Sequence, residues 1–139
     1  MNRSDVSVFL FTSDAFSARQ PLDTKPVGED LAKYIGARLV TDGWQVASLV
    51  EATEGWELDV RIQSVRFLLF VHWVPIGTPP SDQWAIQVRR PTSFRNLIGL
   101  QSASKNVSAC VQALSHAFAG QREIQNGRWI SKDEFRTIY

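Results

Sequence analysis

The sequence predicts an α+β domain. The expected core is an antiparallel sheet of four to five strands with two main helices on one face. The expected order is β-α-β-β-β-β-α followed by a short C-terminal appendage. Three observations predict it. The run Trp56-Glu57-Leu58-Asp59-Val60-Arg61-Ile62 alternates apolar and charged residues, the period of a half-buried strand. The run Val65–Val74 is apolar at nearly every position and follows after only Gln63-Ser64, so the two runs form a hairpin. Two further stretches, near 27–42 and 103–119, repeat apolar residues at spacings of three and four, the stripe of an amphipathic helix.

In chain order, Val6–Phe11 is β-branched and aromatic, hence a strand. Thr12–Lys25 is polar and reads as a loop. In the first helix Leu31, Tyr34, Ile35 and Leu39 form the stripe. Glu29 and Asp30 in its first turn and Arg38 later complement the macrodipole. Gly43 stands where a left-handed C-terminal cap is expected. Trp44–Val50 is the next strand, and Glu51–Gly55 links it to the hairpin. Residues 75–82 are turn-rich, and Trp84–Arg90 alternates again. Residues 91–101 form a long connection whose Phe94, Leu97, Ile98 and Leu100 suggest packing onto the body. The second helix takes Ser102 or Ser104 as its N-cap and Val107, Cys110, Val111, Leu114 and Phe118 as its buried stripe. Glu123–Ile130 reads as a short strand. Ser131-Lys132-Asp133-Glu134 is a capping-box pattern that predicts a short terminal helix.

The totals restrict function. A chain of 139 residues has room for one domain, 1–139, with a proper core. A net charge of +1 argues against a dedicated nucleic-acid or membrane-surface binder. The single Cys110 excludes an intrachain disulfide and fits a reducing compartment. The apolar run near the N-terminus is too short for an export signal, and no stretch reaches bilayer length, so a cytoplasmic location is expected.

A two-residue turn at Gln63-Ser64 sets the hairpin register. Ile62 then faces Val65, Val60 faces Phe67, Leu58 faces Leu69 and Trp56 faces Val71, four apolar pairs on the core face. The other face pairs Arg61 with Arg66, Asp59 with Leu68 and Glu57 with Phe70, with His72 and Val74 further along. The two facing arginines are slightly unfavourable unless Asp59 bridges them diagonally. Leu68, Phe70 and Val74 leave an apolar strip on that face. The 91–101 segment or the C-terminal appendage, a partner or second copy, or solvent remain the three candidates to cover it.

No catalytic signature is present. There is no nucleophile elbow, phosphate-binding glycine loop or metal-ligand spacing around His72 or His116. No catalytic residue, metal or other cofactor is therefore expected. Glu57 and Asp59 share a face but read as solvating charges rather than an acid/base pair. Arg89, Arg90 and Arg95 beside Phe94 are the one basic cluster, read as a local grip or loop anchor. Glu51, Glu54, Glu57 and Asp59 surround Gly55-Trp56 as an acidic entrance. They read either as a solvated turn or as an acidic recognition patch, with Trp56 as its anchor, for a basic protein partner.

The element order resembles the TATA-binding-protein-like arrangement, which also hosts helix-grip ligand carriers. A second resemblance rests on Val27-Gly28-Glu29-Asp30-Leu31-Ala32, Gly43-Trp44, Glu54–Val60 and Phe67–Val71. Together these look like a group of small bacterial proteins, some of them associated with immunity to toxins delivered between competing bacteria. The group's strand entry reads acidic residue, Trp, Gly, Trp, whereas here it is Thr53-Glu54-Gly55-Trp56, without the first Trp. The resemblance implies a non-catalytic protein-binding domain that neutralises a cognate toxin by occluding its active site. Its expected contacts are Glu51, Glu54, Glu57, Asp59, Phe70 and His72, with no nucleic acid or membrane involved and a monomer or weak homodimer as the working state. The alternative is a helix-grip protein holding a small molecule or lipid between sheet and helices.

Overall fold

The computed structural model of the chain describes residues 6–13, 15–16, 27–62, 65–76, 81–90 and 100–138. In order it contains β1 (Val6–Thr12), α1 (Glu29–Thr41), β2 (Gln45–Ala52), β3 (Gly55–Ile62), β4 (Val65–Ile76) and β5 (Ser81–Arg89). It continues with α2 (Leu100–Phe118), β6 (Gln125–Ser131) and α3 (Lys132–Ile138). The six strands form one antiparallel sheet in the order β2-β3-β4-β5-β1-β6. The α+β class and the antiparallel meander hold. The short strand and helix expected as an appendage both form, but the strand joins the sheet. Among the described residues the sheet therefore has six strands rather than four to five, and the helices number three rather than two main ones.

The reason lies in β1. Its residues from Ser7 to Phe11 are all buried. Paired with β5 alone, it would leave a row of backbone donors and acceptors unmet on its other edge. The polar segment Gln125–Ser131 supplies them, although its own side chains are mostly exposed and give little apolar alternation. Strand β6 is thus held mainly by its backbone pairing and by Trp129 and Ile130.

One face of the sheet, the inner face, carries Phe9, Phe11, Trp56, Leu58, Val60, Phe67, Leu69, Val71, Trp84, Ile86 and Val88. Helix α1 covers it with Leu31, Ala32, Ile35 and Leu39, and α2 with Cys110, Leu114, Ala117 and Phe118. The two helices are tied together as well as packed. Arg38 Nε donates to the Ala117 carbonyl at 3.1 Å. The Tyr34 hydroxyl donates to Glu123 Oε2 at 2.9 Å, and burial beside that carboxylate pushes the phenol up to about 12. All five tryptophans belong to this inner cluster or pack against it, so their number is accounted for by the core. Trp56, only 5% exposed, is a core residue and no surface anchor.

The hairpin register is the expected one. Trp56 pairs with Val71, Leu58 with Leu69, Val60 with Phe67 and Ile62 with Val65, while Gln63-Ser64 lies outside the described residues. Of the expected diagonal bridge the Arg66 half forms, with Arg66 donating to both Asp59 oxygens at 2.9 and 2.8 Å, and among the described residues Arg61 makes no ion pair with Asp59. The 91–99 part of the long connection, with Phe94 and Arg95, lies outside the described residues too. Helix α2 begins at Leu100, so Ser102 and Ser104 fall inside it and neither is its N-cap.

The opposite, outer face carries Val8, Leu10, Val74, Ala85 and Ile130, closed by Phe135 of α3. The capping box starts that helix, with Ser131 Oγ accepting from the Glu134 N–H at 3.0 Å. Helix α3 therefore lies on the face away from α1 and α2. The appendage covers one end of the apolar strip, at Val74 and His72, and leaves Leu68 and Phe70 half-buried.

Gly55 sits where three groups crowd the outer face. A Cβ there would lie 2.6 Å from the Val71 carbonyl oxygen, 2.7 Å from the Phe70 ring and 2.9 Å from His72 Cβ. The carbonyl is ladder backbone and cannot move aside. Gly55→Ala is expected to lower stability by about 2 kcal/mol through overpacking, measured by urea unfolding. A loss under about 0.5 kcal/mol would show that the strand pair relaxes freely here.

Candidate functional site

The outer face of β4 and β5 is where polar chemistry gathers. Cross-strand pairing sets Phe70 against Gln87, His72 against Ala85 and Leu68 against Arg89. Strand alternation then points Phe70, His72, Gln87 and Arg89 to one side. With the turn residues Thr53 and Glu54, and with Lys132, Phe135 and Arg136 from α3, they line a basin of about 450 Å³.

Its floor is a fixed hydrogen-bonded chain. His72 is only 3% exposed. Its ring stacks on Phe70, with centroids 4.7 Å apart, and meets the Phe135 ring edge-on at 5.8 Å. Arg89 Nη2 donates to Gln87 Oε1 at 3.2 Å. Arginine has only donors, so this bond fixes the amide orientation and turns Gln87 Nε2 towards His72. Gln87 Nε2 then donates to His72 Nε2 at 2.9 Å, which makes that ring nitrogen an acceptor. The imidazole is neutral, with its proton on Nδ1. Burial is the main cause that pulls its pKa down from 6.5 to about 4; a hydrogen bond to the Trp73 backbone works against the shift and the Arg89 charge adds to it.

The rim is charged. The Arg89 guanidinium lies 5.0 Å over the Phe70 ring, and among the described residues no carboxylate is within ion-pair distance of it. Arg136 reaches Asp133 at 3.5 Å, but both side chains are highly exposed, so that pair is screened and weak. Three cations, Arg89, Lys132 and Arg136, thus face one carboxylate, Glu54.

The expected contact residues separate under this geometry. Glu54, Phe70 and His72 line the basin. Glu57 lies beside it on β3, opposite Phe70, and Asp59 follows, opposite Leu68 but committed to Arg66. Glu51 pairs with Trp56 and so belongs to the other side of the β2 edge. The acidic entrance is therefore two groups, not one patch. The arginine cluster also divides. Arg89 turns to Phe70, whereas Arg90 lies over Phe67 at 5.3 Å and donates to the Arg66 carbonyl at 2.7 Å. Arg90 is a local anchor.

Thr53, Gln87, Arg89, Lys132, Phe135 and Arg136 were not singled out from the sequence as one site. Parity along β5 was the available signal for Gln87 and Arg89, because those positions alternate with the core-facing Ile86 and Val88. Nothing local places α3 above them.

Elsewhere, a second crevice of about 340 Å³ lies on the inner face, lined by Ile62, Val65, Phe67, Ala109, Cys110, Gln112 and Ala113. Cys110 is fully buried there, and burial pushes its thiol up to about 12, so it is a core residue rather than a nucleophile. Among the described residues no group of three or more His, Cys, Asp or Glu is placed to hold a metal ion. No helix among them is long and apolar enough to cross a membrane. Comparison with known proteins finds no matching family model, no matching curated protein and no matching solved structure.

The floor makes stability depend on acid. Between pH 6.5 and about 4 the unfolded chain binds a proton at His72 that the folded chain refuses. The contribution is intact above that window and is lost as the pH falls through it. From neutral pH to about 4.5 the loss through His72 is expected to be about 2 kcal/mol. Urea unfolding of the wild type and His72→Gln at both pH values measures it as the difference in slope. Equal slopes would mean that His72 titrates normally.

Proposed function

We propose that this chain is a non-catalytic protein-binding domain whose recognition surface is the outer face of the sheet along β3, β4 and β5. The observation that carries the reading is the composition of that face. Leu68 and Phe70 remain half-buried at its centre. Glu57, the Asp59–Arg66 pair and Arg89 surround them, and the basin opens at one end. An apolar centre within a charged rim is the anatomy of a protein interface. Nearest Phe70 the charges differ by strand, with Glu57 on β3 and Arg89 on β5, while Arg61 and the Asp59–Arg66 pair lie further along. The face therefore fits a partner carrying a basic element and an acidic one side by side.

In its most concrete form the protein is an immunity-type inhibitor acting in the cytoplasm, and the partner is a toxin whose active site it occludes. The resemblance of Glu54–Val60 and its neighbours to such proteins supports this form. The test is binding and inhibition of the product of the adjacent gene. Glu54→Lys with Glu57→Lys is expected to weaken that complex by at least about 2 kcal/mol, while Glu51→Lys changes it little. Titration calorimetry on the folded variants decides. An adjacent product that neither binds nor is inhibited would refute the immunity form. Equal effects at Glu51 and at the Glu54–Glu57 pair would refute the choice of face.

The inner crevice favours a second reading, a carrier of helix-grip type, since about 340 Å³ of largely apolar lining lies between α2 and the β3–β4 pair. A carrier would take up a medium-chain fatty acid there, and Ala113→Trp, which fills the crevice, would abolish uptake. No binding by the wild type would remove this reading.

A further inference from the structure

We propose that the outer basin receives a carboxylate on a short apolar stem, with Arg89 as its principal ligand. The inference rests on the reading of the outer face as a recognition surface and names the group that this surface accepts.

The site is built before any ligand arrives. Phe70 supports the guanidinium from below at 5.0 Å, and Gln87 accepts one of its N–H groups. Gln87 is itself oriented by the buried, neutral His72. An arginine on a strand usually keeps many rotamers, and ordering it on binding opposes affinity. Here the ring and the amide have already restricted it. A guanidinium presents five N–H donors in a planar fork, and one serves Gln87. The others meet no carboxylate among the described residues. Bidentate pairing with a planar carboxylate is the interaction such a fork matches.

The walls specify the rest of the ligand. Phe70 and Phe135 offer apolar surface for a stem, and Lys132 and Arg136 add positive potential at the mouth. Thr53, from the turn before β3, completes the wall. Glu54 sits on the same rim with φ +67° and disfavours a second anionic arm in that direction. A group with one carboxylate and two or three methylenes fits this lining, and a highly charged polyanion does not. Two sources share that chemistry: an acidic side chain or C-terminus of the protein partner, and a small free carboxylic acid.

The experiment titrates the full chain with N-acetyl-glutamate α-amide, butyrate and inorganic phosphate, following the Arg89 Nε–H and His72 ring resonances by NMR. The expected result is saturable movement of both signals with the two carboxylates. Arg89→Met, which keeps the stem over Phe70, is expected to weaken binding more than tenfold. Arg136→Gln is expected to weaken it only a few-fold. A urea unfolding curve confirms that each variant is folded. Saturation at micromolar butyrate would assign the site to a free acid. Saturation only at millimolar concentration, with loss of the partner complex in Arg89→Met, would assign it to a partner residue. Absence of saturable shifts, or phosphate matching the carboxylates in both wild type and Arg89→Met, would overturn the proposal. Suppose Arg89→Met leaves the partner complex intact while the Glu54–Glu57 reversal destroys it. The recognition surface then stands and the carboxylate assignment falls.

Discussion

The outer face is shaped by a mismatch of length. The central strands are apolar on both sides: β1 buries Val8 and Leu10 outward and Phe9 and Phe11 inward, and β4 does the same with Val74 and Val71. Such strands need cover on two faces. The inner face has two helices of 13 and 19 residues. The outer face has α3, a helix of 7 residues. At 1.5 Å per residue that helix reaches about 10 Å, or about two strand spacings. It closes the sheet over β1 and the ends of β4 and β5, and it stops short of Phe70 and Leu68. The basin is the step between covered and uncovered sheet.

That step decides which groups are fixed and which are available. His72 falls under the covered end, so desolvation keeps it neutral and Gln87 completes its hydrogen bonding. Arg89 falls at the open end, where its position is set by Phe70 and Gln87. The Asp59–Arg66 pair lies in the open, with side chains 19% and 46% exposed. Such an exposed pair is screened by solvent and contributes little to stability. Burying a large apolar side chain contributes about 1.5–3 kcal/mol. The four apolar pairs of the hairpin therefore set its register, and the ion pair follows from it. The consequence of that ion pair is chemical more than energetic: it removes Asp59 from the carboxylates free to meet a partner.

The hairpin was legible in the sequence because period-2 alternation and a two-residue connection leave few registers that bury Trp56, Leu58, Val60 and Ile62 together. Helix α3 was legible as an element because a capping box is a local signal, held by Ser131 and Glu134. Its position was not legible. Which face a terminal helix takes depends on the apolar residues that others leave exposed, here Val8, Leu10 and Val74. Strand β6 was faint for a related reason: it answers the backbone needs of β1 and carries little pattern of its own. The site was half legible. Phe70 and His72 stood out as unexplained on the strip, but neighbours in sequence misled. Glu51 and Glu57 look like one acidic run, and Arg89 and Arg90 like one basic pair. Strand alternation sends the members of each to different surroundings. Residues distant in sequence, 53, 72, 89 and 136, meet instead.

The sorting of charge on the outer face has a physical consequence of its own. Glu57 and Gln87 stand on either side of Phe70, about two strand spacings apart, and Arg89 lies two residues further along β5, so Glu57 and Arg89 are about 12 Å apart along the sheet. That distance exceeds the screening length at physiological salt, about 8 Å. Across the exposed sheet the two signs therefore act as separate contacts rather than cancelling each other. A partner matched to one alone gains one contact and meets like charge at the other. Such a face discriminates by orientation: rotating a bound partner by half a turn exchanges attraction for repulsion at both ends. The near-neutral net charge of the chain conceals this arrangement. Its strength depends on Phe70, which separates the two groups and supports one of them.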